Sequence, residues 1–364
     1  MVTARPQGPF RLCYLAFVRL PTEKAHGAQI VKTCEALADE GIEVSLLVPG
    51  RKTPITEDPF TYYGAQKNFV LMEVPTPDFV RFGPLGFMLS LFLFAEAARF
   101  TRAFDEADVV YSRDAGVLLQ YVLLRHRFVY EAHTRPTFVS RLVARRAAKV
   151  VAISQGLKDA YVCAGVRKEC IIVAHDAIDP APFKIAFDQN VVRAEYGIPT
   201  DKKVALYVGK IDDAKGVPAF AEASEHLPEN VRAVVIGAGT QKDTLAARFP
   251  RALFLSSTPY RDLAKVLSAA DVLVLPNSAK DTDASRYTSP LKAFAYLASG
   301  KPIVATDVPA LRELLDGAAV FAQPDDAPSL AHAITRAIAT PSVPANKDYS
   351  WRARAKTILS AIRV

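Results

Sequence analysis

The sequence is poor in cysteine: four in 364 residues (Cys13, Cys34, Cys163, Cys170), with no Cys-x-x-Cys pair and no metal-ligand spacing. That excludes a disulfide-stapled scaffold or a zinc module and predicts reduced, buried thiols in a cytoplasmic protein. A hydrophobic run of membrane-spanning length is also missing. The longest apolar stretch, Phe82 to Ala95, falls short of the ~20 residues a bilayer crossing needs. Met1 to Gly8 is polar, so no signal peptide is expected there. No short-period repeat or low-complexity tract appears. Gly237-Ala238-Gly239 lacks the third glycine of a dinucleotide fingerprint and predicts a tight strand-to-helix turn. The basic residues follow no helix-turn-helix, zinc-finger or RNA-binding pattern, so nucleic acid is not an expected partner.

What is present suits a folded α/β protein. Half the residues are hydrophobic, 23% are charged, and the net charge is +7, which favours acidic partners such as nucleotides or anionic lipid. Leu12 to Phe17 reads as a strand, followed by the loop Pro21 to Gly27 and a helical pattern that stops at Gly41. Strands then recur at Glu43 to Val48, Val109 to Tyr111, Phe128 to Tyr130 and Val150 to Ile153. A second series begins near Val204 to Tyr207. It continues through Ala233 to Ile236, Leu253 to Leu255, Val272 to Leu275, Pro302 to Val304 and Ala319 to Phe321. Strands alternating with helices predict parallel sheets covered on both faces. The proline-bearing stretch Asp176 to Asp188 reads as an interdomain linker. The expected division is residues 1–183, residues 184–346 and a terminal helix over 347–364, packing back toward the first domain.

In doubly wound sheets, ligands bind at the carboxyl ends of the strands. Lys210 ends one strand, and Lys215 follows just before Gly216, where the backbone can come close to a ligand. The two ammonium groups can grip one anion, or they can simply be solvated. Thr288-Ser289-Pro290-Leu291 precedes a helical run. Its amides and hydroxyl can seat a phosphate, or form an ordinary N-cap with Pro290 at the first helical position. His133, with Glu131 close by, sits at a strand end, where it can donate to a sugar hydroxyl or serve a structural role. Gly27 either admits a ligand or makes a turn; His26 and His175, also in loops, carry less weight. Asp281-Thr282-Asp283 imitates a metal-binding pair but lies among polar residues, so solvated acids and no metal are expected. Phe82 to Phe100, with Arg81, Arg99 and Arg102 at its ends and a cationic helix at Arg141 to Lys149, can be read as a membrane-facing surface or as a core helix beside a solvated basic face.

In order and spacing these segments resemble glycosyltransferase family 4, the retaining nucleotide-sugar transferases of the GT-B fold. The residues that carry the resemblance run from the Pro21–Gly27 loop through Val151-Ala152-Ile153-Ser154 and His175-Asp176-Ala177-Ile178-Asp179. They continue through Tyr207-Val208-Gly209-Lys210 with Lys215-Gly216, Ala270 to Pro276 and Ser289-Pro290-Leu291-Lys292, to Ala298 through Val304. The resemblance implies two Rossmann-like domains facing across a cleft. It also implies transfer of a sugar from a UDP- or GDP-sugar to a lipid-linked or glycan acceptor, in cell-surface polysaccharide or glycolipid synthesis. Neither cofactor nor metal is implied, and the protein is expected in the cytoplasm, with peripheral contact at the membrane face. Lys210, where the family usually has arginine, and Lys215 would neutralise the donor diphosphate, and Ser289, Pro290 and Leu291 would seat it through backbone amides. His133 would contact the donor sugar, and Gly27 would lie near the sugar and phosphates. Tyr287 and Ala295 stand where the family carries two glutamates, the second of them on the ribose. Losing that contact costs roughly 1.5–3 kcal/mol. It also motivates an alternative, a non-catalytic relative that binds nucleotide or glycan or acts as a scaffold.

Overall fold

The computed structural model describes residues 8–124, 126–340 and 347–363. All but Gly8 of the polar opening segment lies outside these residues, as does most of the proline-containing loop before the last helix. The chain divides into two units, residues 1–176 with 351–364 and residues 177–350.

The first unit holds a parallel sheet of seven strands. They are β1 (Arg11–Leu15), β2 (Glu43–Pro49), β3 (Val70–Val74), β4 (Val109–Ser112), β5 (Phe128–Ala132), β6 (Lys149–Ala152) and β7 (Ile171–Val173), in the order β3-β2-β1-β4-β5-β6-β7. The second unit holds six, in the order β10-β9-β8-β11-β12-β13. They are β8 (Lys203–Val208), β9 (Val231–Ile236), β10 (Ala252–Leu255), β11 (Val272–Leu275), β12 (Ile303–Thr306) and β13 (Val320–Ala322). In each unit the order reverses beside the first strand, which opens the doubly wound crevice at its carboxyl end.

Central strands such as β11 (VLVL) and β4 (VVYS) are buried at every position, because helices cover both faces of a parallel sheet. Two strands escape the sequence reading. Edge strand β3 buries only Val74, and β7, at the other edge, has just three residues, although each lies in a short apolar run (Phe69 to Met72, Ile171 to Ala174).

The last helix, Trp351–Ile362, belongs to the first unit. Ala355, Ile358, Leu359 and Ile362 pack with Ile30, Cys34 and Leu37 of the helix Ala25–Asp39 in one core. The break between units falls after Asp176 rather than at 183. Ile178 bridges to Ser350, and Phe183 and Phe187 pack on the second core, so the proline-bearing stretch is part of that unit. Of the four cysteines only Cys13 and Cys34 are buried, while Cys163 is exposed and Cys170 half-buried. The apolar segment is also longer than its sequence suggested. With the turn before it, the helix Gly83–Arg99 forms a stretch from Val80 to Arg99 that is long and apolar enough to cross a membrane by length and composition.

Candidate active site

In the second unit β8 stops at Gly209, whose φ of 147° suits glycine and whose missing Cβ matters more. A methyl there would stand 2.4 Å from Lys292 Nζ. Lys292 donates to Tyr207 Oη at 2.6 Å and lies 3.9 Å from the centre of the Tyr207 ring. Tyr207 Oη in turn donates to the Lys210 carbonyl at 2.7 Å. Because Lys292 directly follows Leu291, these contacts bring the Tyr207–Lys210 and Ser289–Lys292 segments together.

Asp212 organises the lysine loop. It accepts from Lys210 Nζ at 3.0 Å and from the Lys215 amide at 2.8 Å. Those bonds hold its carboxyl below the usual range, against the opposing effect of partial burial. The Lys210 side chain is 74% exposed, so its ammonium remains open to a ligand. Burial pushes Lys292 down to about 7, the Lys215 charge adds to that, and Asp212 opposes it. Lys292 has no carboxylate partner among the described residues. Lys210 and Lys215 therefore bring two positive charges to one acid, with Lys292, whose charge comes and goes near neutral pH, beside them.

Gly216 serves packing rather than ligand access: at φ 66° it lies so close to Pro276 that a Cβ would fall 1.8 Å from the Pro276 carbonyl. Gly237 and Gly239 are similar, with the carbonyls of Gly209 and Ile211 where their side chains would be. The helix Leu291–Ser299 begins one residue later than expected. Pro290 is its N-cap, no side chain caps it, and Thr288 Oγ1 donates to Ala284 O instead. The first amides are thus left without a capping side chain, beside a buried Ser289. Tyr287 closes the short helix Thr282–Arg286, and Asp281 caps that helix by accepting from Ala284 N at 2.9 Å. Ala295 is wholly buried. It lies three residues after Lys292, one turn along the helix and next to Tyr296, whose hydroxyl accepts from Val208 N at 3.1 Å.

The first unit builds a different arrangement at the end of β5. His133 Nε2 meets Glu131 Oε1 at 2.5 Å. Arg354, from the last helix, donates to the same carboxylate at 2.8 Å and also to the carbonyls of His175 (2.6 Å) and Ala174. Tyr111 Oη donates to the other Glu131 oxygen. Burial works to raise the Glu131 carboxyl, but Arg354 and His133 outweigh it and hold the group far below the usual range. Nearby, Arg113 donates to Gln29 Oε1 at 2.6 Å, and Gln29 donates to Asp176, whose carboxyl burial raises. His26 is pushed down by burial and then by Arg113, with His133 contributing. The space beside Gly27 is taken by the protein itself: a Cβ would meet Tyr63 Oη at 2.2 Å, and that hydroxyl is hydrogen-bonded to both Thr22 N and Thr22 O. The sequence offered His133 and Gly27 here. It did not single out Arg354, Arg113 or Gln29, whose partners lie far along the chain.

Two family descriptions match the chain: Glycosyltransferase Family 4 over residues 27–182 and Glycosyl transferases group 1 over residues 202–340. The chain belongs to glycosyltransferase family 4. A Bacillus subtilis (strain 168) protein named TuaC, described as a teichuronic acid biosynthesis glycosyltransferase, is 31% identical over 146 residues, or 40% of this chain and 35% of that protein. A D-inositol 3-phosphate glycosyltransferase of Xylanimonas cellulosilytica is 29% identical over 38% of this chain and 34% of its own length. The chain thus spans about a third of the length of these curated relatives.

Among solved structures, Anabaena HepE in complex with UDP and glucose superposes with a TM-score of 0.73 at 18% identity, over 97% of this chain and 99% of that one. The catalytic domain of Arabidopsis thaliana starch synthase IV, bound to ADP and acarbose, gives 0.72 at 11% identity, over 97% and 96%. Two parallel α/β units with these neighbours establish the GT-B fold for this family member.

Proposed function

We propose that this protein transfers a sugar from a nucleoside-diphosphate sugar to a glycan or lipid-linked acceptor, with retention of configuration. The observation that carries the reading is the surplus of cations at the end of β8. Lys210, Lys215 and Lys292 surround a single carboxylate, Asp212, which leaves net positive charge for a diphosphate to neutralise. The uncapped amides of the helix Leu291–Ser299 add donors beside them.

Stabilising the departing diphosphate is the main electrostatic task in such a transfer, and preorganised cations and amides suit it without a metal. His133 is held through Nε2 by Glu131, and with no hydrogen bond to its Nδ1 among the described residues that nitrogen can meet a sugar hydroxyl. A UDP complex of HepE supports a nucleotide-sugar donor here. Relatives named as glycosyltransferases weigh against the non-catalytic alternative that Ala295 motivates. The TuaC likeness supports a cell-surface polysaccharide setting.

A thermal-shift panel of UDP, GDP and ADP, with the matching sugar nucleotides, tests the reading. One diphosphate should raise the melting temperature by mass action, and its sugar derivative should be turned over. No shift with any of them would overturn donor binding. A shift without turnover, across a panel of lipid-linked and glycan acceptors, would return the scaffold alternative.

A further inference from the structure

The helix Gly83–Arg99 is apolar all round. Its inward face (Leu91, Phe94, Ala95, Ala98) is buried in the first unit. Its outward face repeats the chemistry at helical spacing: Leu85 is 86% exposed, Met88 55%, Leu89 47% and Phe92 50%. No charged residue occurs from Phe82 to Ala95. Half of the exposed large hydrophobic side chains among the described residues fall between positions 82 and 100. A helix with two apolar faces is normally covered on both.

The charges around this face indicate what covers it. Three exposed phenylalanines each carry their own guanidinium: Arg81 at 4.7 Å from the Phe82 ring, Arg99 at 4.9 Å from Phe100 and Arg141 at 5.9 Å from Phe138. Phe138 and Arg141 lie on the helix Phe138–Arg146, which packs on Ala115–Leu123, which packs in turn on the apolar helix. The nearby acids are already engaged, Asp78 with Arg51 and Glu96 with Arg99. Arg81 and Arg141 form no ion pair among the described residues.

We propose that this face inserts into the headgroup region of an anionic bilayer. The rings and Leu85 enter the acyl boundary while the guanidiniums stay at the lipid phosphates. A second copy of the chain fits less well, because it would desolvate the same arginines and, self-paired, bring no acids to meet them. The buried inward face keeps the helix on the membrane surface rather than across it.

Co-sedimentation of the full chain with phosphatidylcholine vesicles, with and without roughly a third phosphatidylglycerol, tests the proposal. The protein should pellet with the anionic vesicles and be released by high salt. Leu85→Asp with Phe92→Asp should abolish pelleting, and Arg81→Gln with Arg141→Gln should weaken it about 10- to 30-fold. The thermal shift given by whichever of UDP, GDP or ADP binds the parent should be the same in every variant, which separates this surface from the donor site. Equal binding to neutral vesicles, or none to either, would overturn the proposal. So would a dimer by light scattering that Leu85→Asp dissociates, because the face would then cover a second copy.

Discussion

Glu131 in the first unit, fully buried, and Lys292 in the second, half-buried, are ionisable side chains near the carboxyl ends of parallel strands, and their surroundings are opposite. Glu131 receives Arg354, His133 and Tyr111, so its charge is matched from within. Lys292 receives one phenol and faces a like charge, Lys215. The Glu131 cluster is electrostatically matched as it stands. The Lys292 site is built with a deficit of negative charge, and a site in that condition is suited to an anion it does not itself contain.

The comparison breaks most visibly if the matched side loses its cation. Arg354→Met strands a buried carboxylate and should destabilise the protein by about 3–5 kcal/mol in calorimetry, with Glu131→Leu in the same chain recovering most of the loss. The pH dependence follows from the depressed carboxyl. Its stabilisation is present above the unfolded value near 4.5 and is lost as pH falls through the lower folded value, so Arg354→Met should unfold at a higher pH on acid titration. An unchanged acid midpoint would mean that Glu131 does not depend on Arg354.

A smaller effect is expected from thinning the unmatched side. Lys215→Ala should weaken binding of the active nucleoside diphosphate about 10- to 100-fold and leave turnover barely measurable. Unchanged affinity would place the diphosphate elsewhere.

The least disruptive test concerns protons. A depressed lysine opposes folding progressively as pH falls from its unfolded 10.5 to about 7, so Lys292→Met should gain stability relative to the parent across that range. At pH 8, diphosphate binding to the parent should take up a proton, read as a dependence of the calorimetric heat on buffer ionisation enthalpy. Ala295→Glu would put a carboxylate one turn from Lys292 and should remove that uptake. Its persistence would show that the new acid does not reach the ammonium.

Much of the fold was legible because parallel strands buried on both faces leave continuous apolar runs, as in β8 and β11. The strands that were not legible, β3 and β7, are an edge and a three-residue stub. In the candidate site, Lys210, Lys215 and Ser289 stood out because each sits in a loop or turn at the end of an apolar pattern. Lys292 lay in the same window but read as one position of a helical run, and only the chain crossing at Gly209 reveals its contact with Tyr207. The Glu131–Arg354 pair joins residues 223 positions apart, and no local pattern could have announced it.

That pair has a consequence for how the chain is made. The arginine that balances Glu131 is translated after the entire second unit, so at typical elongation rates the first unit waits roughly 10–45 s for Arg354, with only His133 and Tyr111 at hand for the acid. The amino-terminal unit is begun first on the ribosome and finished last.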